Sequence, residues 1–225
     1  MHRFWETNIR PILTGMNIKK LVEIGAHSGA NTVKLLEYCR ETNGKLFVID
    51  PKPLFDANTL TSQYGSELYL IKNLSLNVLP FLTDYDAVLL DGDHNWYTVY
   101  HELKMIEQNA INRGKFPLVF VHDIEWPYAR RDLYYSPESI PEPFRKPYAK
   151  KGMLPGLSEL IENDGVNFVL NNALYEGGER NGVLTAVEDF LKETELPISF
   201  YQVSGSNGLG ILVPSDISMD EYITF

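Results

Sequence analysis

Cysteine is almost missing from this 225-residue chain: Cys39 stands alone, so no internal disulfide can form, which fits a reducing, cytoplasmic setting. Long apolar runs are missing too; nothing approaches the roughly 20 residues that a membrane-spanning helix needs. The opening stretch "MHRFWETNIRPILTG" carries an early glutamate and proline and lacks the unbroken apolar core of a signal peptide. Basic residues are in deficit, 20 Lys and Arg against 30 Asp and Glu, and the resulting net charge of −10 argues against a general nucleic-acid binder. Internal repeats and low-complexity tracts do not occur. Absent as well is the G-x-G-x-x-G spacing of dinucleotide sites. In "EIGAHSGANT" the second glycine is replaced by His27, whose side chain would obstruct a pyrophosphate.

What is present has the composition of an ordinary globular protein, 44% hydrophobic and 22% charged, long enough for one domain with a full core. Short β-branched runs alternate with helical patterns. "KKLVEIG", "KLFVID", "ELYLIKN", "DAVLLDGD" and "FPLVFVHD" read as buried strands. "GANTVKLLEYCRET", "WYTVYHELKMIEQN" and "GVLTAVEDFLKET" read as helices, and "ISFYQVSGSNGLGILVP" as an antiparallel hairpin around a Gly/Ser/Asn turn. The organisation expected is a single domain over 1–225, with an N-terminal helical segment over 1–20 and an insertion over 125–180. The first half of that insertion holds six prolines, six aromatic residues and six Lys/Arg against three acids. Its prolines favour an ordered flap over a disordered loop.

In an open parallel sheet a ligand sits beyond the carboxyl ends of the strands where strand order reverses, so the turn after "LVEIG" should border the crevice. The arrangement Glu23-x-Gly25-x-x-x-Gly29 at a strand end resembles the first motif of class I S-adenosylmethionine-dependent methyltransferases. Asp50, closing "LFVID", matches the acid that holds the ribose hydroxyls in that family. The resemblance spans Leu21 to Pro214. It implies an α/β fold with a seven-stranded, mostly parallel Rossmann-like sheet, a C-terminal antiparallel hairpin and helices on both faces. It also implies S-adenosylmethionine as cofactor, with Glu23, Gly25, Ala26, Gly29, Asp50, Leu74, Ser75 and Asp91 around it.

"LLDGDH" after the fourth strand and "VHD" closing the fifth resemble the macrocin-type sugar O-methyltransferases and, more remotely, the catechol type. This resemblance implies methyl transfer to a hydroxyl of a saccharide (a glycan, sugar nucleotide or glycosylated metabolite) or of another small molecule. His94 and Asp91 are the implied catalytic pair, since an imidazole suits deprotonation of an alcohol as the methyl arrives. Metal-dependent relatives hold Mg2+ or another divalent cation there. Asp91 and Asp123 match two of its ligands, but Ile124 stands where a second ligand of the pair would be, so metal binding stays open. Trp126 and Tyr128 could stack on an acceptor, and Arg130 and Arg131 could meet an anionic group on it. His122 is expected only to orient Asp123. An NAD(P)-dependent oxidoreductase and a non-catalytic binding domain remain alternatives. A homo-oligomer and a module of a longer polypeptide are both compatible with the sequence.

Overall fold

The structure is a computed structural model and describes residues 1–162 and 164–219. Its centre is the expected run of apolar strands: β1 (Lys20–Ile24), β2 (Lys45–Ile49), β3 (Leu68–Ile71), β4 (Ala87–Leu90) and β5 (Leu118–His122). All four residues of β4 are buried, as are the first four of β5, which is why these segments read as unbroken hydrophobic runs. Helix α1 (Arg10–Gly15) is preceded by a short 3-10 turn and a π-helical turn. Helices α2 (Ala30–Thr42), α3 (Ala57–Tyr64) and α4 (Ser75–Val78) follow β1, β2 and β3. Helix α5 (Trp96–Arg113) follows β4, and the Asn95 side chain accepts from the backbone N–H of Thr98 to cap it.

After β5 the chain builds a small antiparallel sheet in the order β6 (Leu133–Tyr134), β8 (Asn171–Ala173), β7 (Tyr148–Lys150). Helix α6 (Val183–Glu193) and the hairpin β9 (Ile198–Val203) and β10 (Leu209–Pro214) complete the fold. The main sheet has seven strands in the order β3-β2-β1-β4-β5-β10-β9. The pairs among β1 to β5 are parallel, and β10 runs antiparallel to both β5 and β9. This is the expected Rossmann-like architecture. Apolar side chains fill both faces, one under α1 and α2 and the other under α5 and α6. No helix among the described residues is long and apolar enough to cross a membrane.

Candidate active site

Strands β1 and β4 are neighbours although β2 and β3 lie between them in sequence. Strand order reverses there, the place where an open parallel sheet takes its ligand, beyond the carboxyl ends of the strands. Gly25 sits at the reversal with φ +85°, and a Cβ on it would come within 2.3 Å of the Asp91 carbonyl oxygen. Only glycine lets the turn pass the end of β4. Gly29, the N-cap of α2, also has positive φ, and a side chain on it would press on the Phe55 ring at 3.0 Å.

The two acids of the motif turn inward and hold the turn. Glu23 is 1% exposed; its oxygens accept from Asn31 Nδ2 at 2.9 Å and from the Thr32 hydroxyl at 2.6 Å. Burial pushes its carboxyl up to about 7 against those two hydrogen bonds. Glu23 thus ties β1 to the start of α2 and leaves almost no surface for a ligand. Asp50 accepts from the backbone N–H groups of Ala26 (2.8 Å), His27 (3.0 Å) and Lys52 (2.7 Å). A carboxylate has about four acceptor positions, so one remains where the resemblance implied two bonds to a ribose.

On the neighbouring strands, Ser75 is buried at the start of α4 and Leu74 before it is exposed. One oxygen of the buried Glu102 on α5 pairs with Ser75, and the other, Oε1, has no partner. Asp93 accepts from the Thr98 hydroxyl at 3.1 Å, and burial raises its carboxyl.

At the ends of β4 and β5 the charged groups converge. His122 Nδ1 lies 3.0 Å from Asp91 Oδ1 and 2.9 Å from Asp123 Oδ2, while its Nε2 lies 3.0 Å from the carbonyl oxygen of Ser206. Asp91 Oδ2 accepts from the amino group of Met1 at 2.9 Å. Asp123 adopts φ +62°, a left-handed conformation uncommon for a residue with a side chain, and Asn207 Nδ2 donates to its Oδ1 at 3.0 Å. His94 Nδ1 stands 3.2 Å from Asp123 Oδ2, and its ring stacks on Tyr128 at 5.6 Å between centroids with 6° between planes. Burial opposes charge on Asp91 and Asp123, but the imidazole of His122 holds Asp91 down, and His94, followed by His122 and Asn207, holds Asp123 down.

Ser206 and Asn207 went unnoticed in the sequence. They reach the site because β10 runs antiparallel to β5: Leu209 pairs with His122, so the hairpin turn must lie beyond the carboxyl end of β5. His122, expected only to orient Asp123, is instead the centre of the cluster.

Residues 22–124 match the family model of a methyltransferase domain. Over this stretch, a little under half of the chain, the protein is similar to methyltransferases, and its fold is that of the class I S-adenosylmethionine-dependent enzymes. Solved structures share the methyltransferase fold at low identity. One is the S-adenosylhomocysteine-bound methyltransferase PaMTH1 of Podospora anserina, with 15% identity, TM-score 0.51, and coverage of 90% of this chain and 74% of that one. Another is a Staphylococcus aureus protein provisionally named a caffeoyl-CoA O-methyltransferase, with 13% identity, TM-score 0.52, and coverage of 92% and 80%. A third is cofactor-bound Rv0187 of MTB, with 15% identity, TM-score 0.50, and coverage of 91% and 77%. None of the curated proteins matches the sequence.

In this methyltransferase the insertion supplies Tyr128 beneath His94 and Tyr135 beside it, the latter meeting the imidazole edge-on at 5.9 Å and more than half exposed. Tyr128 itself is buried, with its hydroxyl between Asn167 and Asn172. Trp126 is half-buried and packs against the core beneath α5 and α6. The two arginines expected to meet an acceptor are engaged by the protein instead. Arg130 forms a bidentate pair with Glu188 at 2.6 Å, and Arg131 is fully buried on the carbonyl oxygens of Ala173 and Ser158. Arg131 therefore offers no surface to an anionic acceptor.

The metal set implied by the resemblance is met in part: Asp91, His122 and Asp123 bring one ligand atom each within 4.8 Å of one another, an arrangement that could hold an ion. Ile124 is buried and has no ligating atom, and the third group meeting Asp91 and Asp123 is an imidazole nitrogen rather than the oxygen that magnesium prefers. The carboxylate oxygens that would face an ion already face His122 Nδ1.

Proposed function

We propose that this methyltransferase transfers a methyl group to a hydroxyl of a saccharide, with His94 as the base. Bound S-adenosylmethionine supplies an electrophilic methyl group on a sulfonium. The chain's own residues suit such a cationic nucleoside. The turn at Gly25 has no side chain where the backbone must pass closely, and Asp50, Asp91 and Asp93 stand at the ends of the flanking strands.

One observation carries the choice of a hydroxyl acceptor. His94 Nδ1 lies 3.2 Å from the Asp123 carboxylate, and the face of the ring lies against Tyr128. Asp123 thus favours the tautomer with hydrogen on Nδ1, which leaves Nε2 to accept a proton. As the acceptor oxygen attacks in line with the methyl carbon, Nε2 takes the hydroxyl proton and the carboxylate stabilises the charge that appears on the ring. An exposed tyrosine, Tyr135, beside the base supports a sugar ring lying against it. The internal pairing of Arg130 and Arg131 favours a neutral portion of the acceptor at this point.

The test is label transfer from methyl-labelled S-adenosylmethionine to a panel of glycans, glycosides, sugar nucleotides and phenols. Label on a sugar oxygen is expected; label confined to nitrogen, carbon or phenolic oxygen would refute the reading. His94→Ala should lower turnover about 10²–10⁴-fold while S-adenosylhomocysteine affinity stays unchanged.

A further inference from the structure

We propose that Asp132, buried in the insertion, is the positioning residue of His94: together with Leu133 it grips the main chain on both sides of Asn95 and so fixes where the imidazole stands. The proposal rests on the reading of His94 as the base.

His94 belongs to no helix or strand. It lies in the connection 91–95 between β4 and α5, where neither a sheet ladder nor a helical turn sets its backbone. The insertion supplies the hold. The N–H of Leu133 donates to the His94 carbonyl oxygen at 3.0 Å. Two residues on, the N–H of Trp96 donates to Asp132 Oδ1 at 2.7 Å, so adjacent residues of one segment hold both flanks of Asn95. The same oxygen accepts from the Gly182 N–H at 2.7 Å, and Oδ2 accepts from the Tyr134 hydroxyl at 2.7 Å.

Trp96 is the first residue of α5 and Gly182 is the N-cap of α6, so one carboxylate serves the starts of two helices. N–H groups at those places have no acceptor within their own helix and favour a negative charge. Asp132 is fully buried, where a lost acceptor is not replaced from bulk water. Its own main chain is anchored as well: its N–H donates to Asn181 Oδ1 at 2.8 Å, and its carbonyl oxygen accepts from the Ala173 N–H at 2.9 Å. The ring of His94 is set from the same insertion, since Tyr128 lies flat against it and Asn167 Nδ2 donates to the Tyr128 hydroxyl at 2.8 Å. Residues 128–133 thus hold both the backbone and the ring of the base. A base displaced by about 1 Å from its line to the acceptor loses on the order of 10²-fold in rate.

Proton NMR of the histidine rings and label-transfer rates on the same variants test this. Ring protons of His94 lie against the Tyr128 face and should resonate upfield of ordinary histidine positions, the signal being assigned by its loss in His94→Ala. Asp132→Ala should move that signal toward the ordinary position. Asp132→Asn, which keeps an oxygen for the two N–H groups and lets the Tyr134 hydroxyl accept, should leave it in place. Initial rates of label transfer to a mixture of glycosides and sugar nucleotides should fall about 10²-fold in Asp132→Ala and recover in Asp132→Asn, with S-adenosylhomocysteine affinity unchanged in both. In a His94→Ala background, Asp132→Ala should lower the rate no further, because both act through one group. Should Asp132→Ala melt below the assay temperature, Asp132→Ser, whose hydroxyl and a water can take up the freed N–H groups, is measured in its place. An unmoved His94 signal, or an equal further loss of rate in both backgrounds, would overturn the proposal. His94→Ala with wild-type turnover would instead remove the reading of His94 as the base, a result separate from the NMR signal, which alone reports the grip of Asp132.

Discussion

Glu102 offers a stability test whose size follows from its surroundings. The carboxyl is 2% exposed on α5, touches Ser75 through one oxygen, and has no partner for the other. Burial raises it from an ordinary 4.5 to about 8, with Asp93 adding repulsion and Ser75 opposing. The folded state therefore holds this proton more tightly than the unfolded chain. Its contribution is complete below about pH 4.5 and is lost as pH rises through about 8. Across that interval, at 1.36 kcal/mol per pH unit, the loss is on the order of 5 kcal/mol. Glu102→Gln keeps the shape and has no proton to lose. It leaves an amide N–H without an acceptor, which costs about 1–3 kcal/mol, but that cost is the same at every pH. Urea unfolding at intervals from pH 5 to pH 9 should therefore show the variant gaining steadily on the wild type. Near pH 5 the variant should be equal or weaker, and near pH 9 it should be stronger by several kcal/mol. A difference between the two proteins that does not change with pH would refute the assignment of a buried, protonated Glu102.

Other outcomes follow from the same geometry. Gly25→Ala places a Cβ 2.3 Å from the Asp91 carbonyl oxygen at a positive φ, and should lower stability by about 2–4 kcal/mol and abolish S-adenosylhomocysteine binding in calorimetry. Arg131→Met removes the donors to the Ala173 and Ser158 carbonyl oxygens, and should cost about 3 kcal/mol or more and expose the insertion to limited proteolysis. Thr32→Val takes away a 2.6 Å hydrogen bond to buried Glu23, and should cost about 1–3 kcal/mol in thermal unfolding, most clearly above pH 7 where Glu23 ionises.

The sheet was legible because its strands are buried on both faces; "LVEI", "LFVI" and "AVLL" admit little else. Helices α3 and α4 were not, since "ANTLTSQY" and "SLNV" are mostly polar and short. The cap on α3, Asp56 accepting from Asn58 N–H, becomes a signal only once a helix is suspected. The small sheet of the insertion escaped because β6 has two residues and the others three, too few for a period to register.

In the site, the positions of the acids could be read but not their directions. Glu23 and Asp50 look inward because Asn31, Thr32 and the amides of the turn receive them, contacts that depend on how α2 starts. Asp123 occupies a left-handed conformation that no local pattern announces. His122 gained its place through β10, whose reversed direction brings Ser206 and Asn207 across 84 residues of sequence. Arg130 and Arg131 look alike in sequence as a basic pair. Burial separates them, one on a helix acid and the other on backbone carbonyls.

The most direct measurement is a crystal structure of the protein soaked with S-adenosylhomocysteine. Density for the nucleoside is expected beyond the carboxyl ends of β1 and β4, passing close to Gly25 with its ribose at Asp50, its base toward Ser75 and its sulfur on the side of His94. A well-occupied ligand bound elsewhere on the chain, leaving that crevice filled only by solvent, would contradict the account.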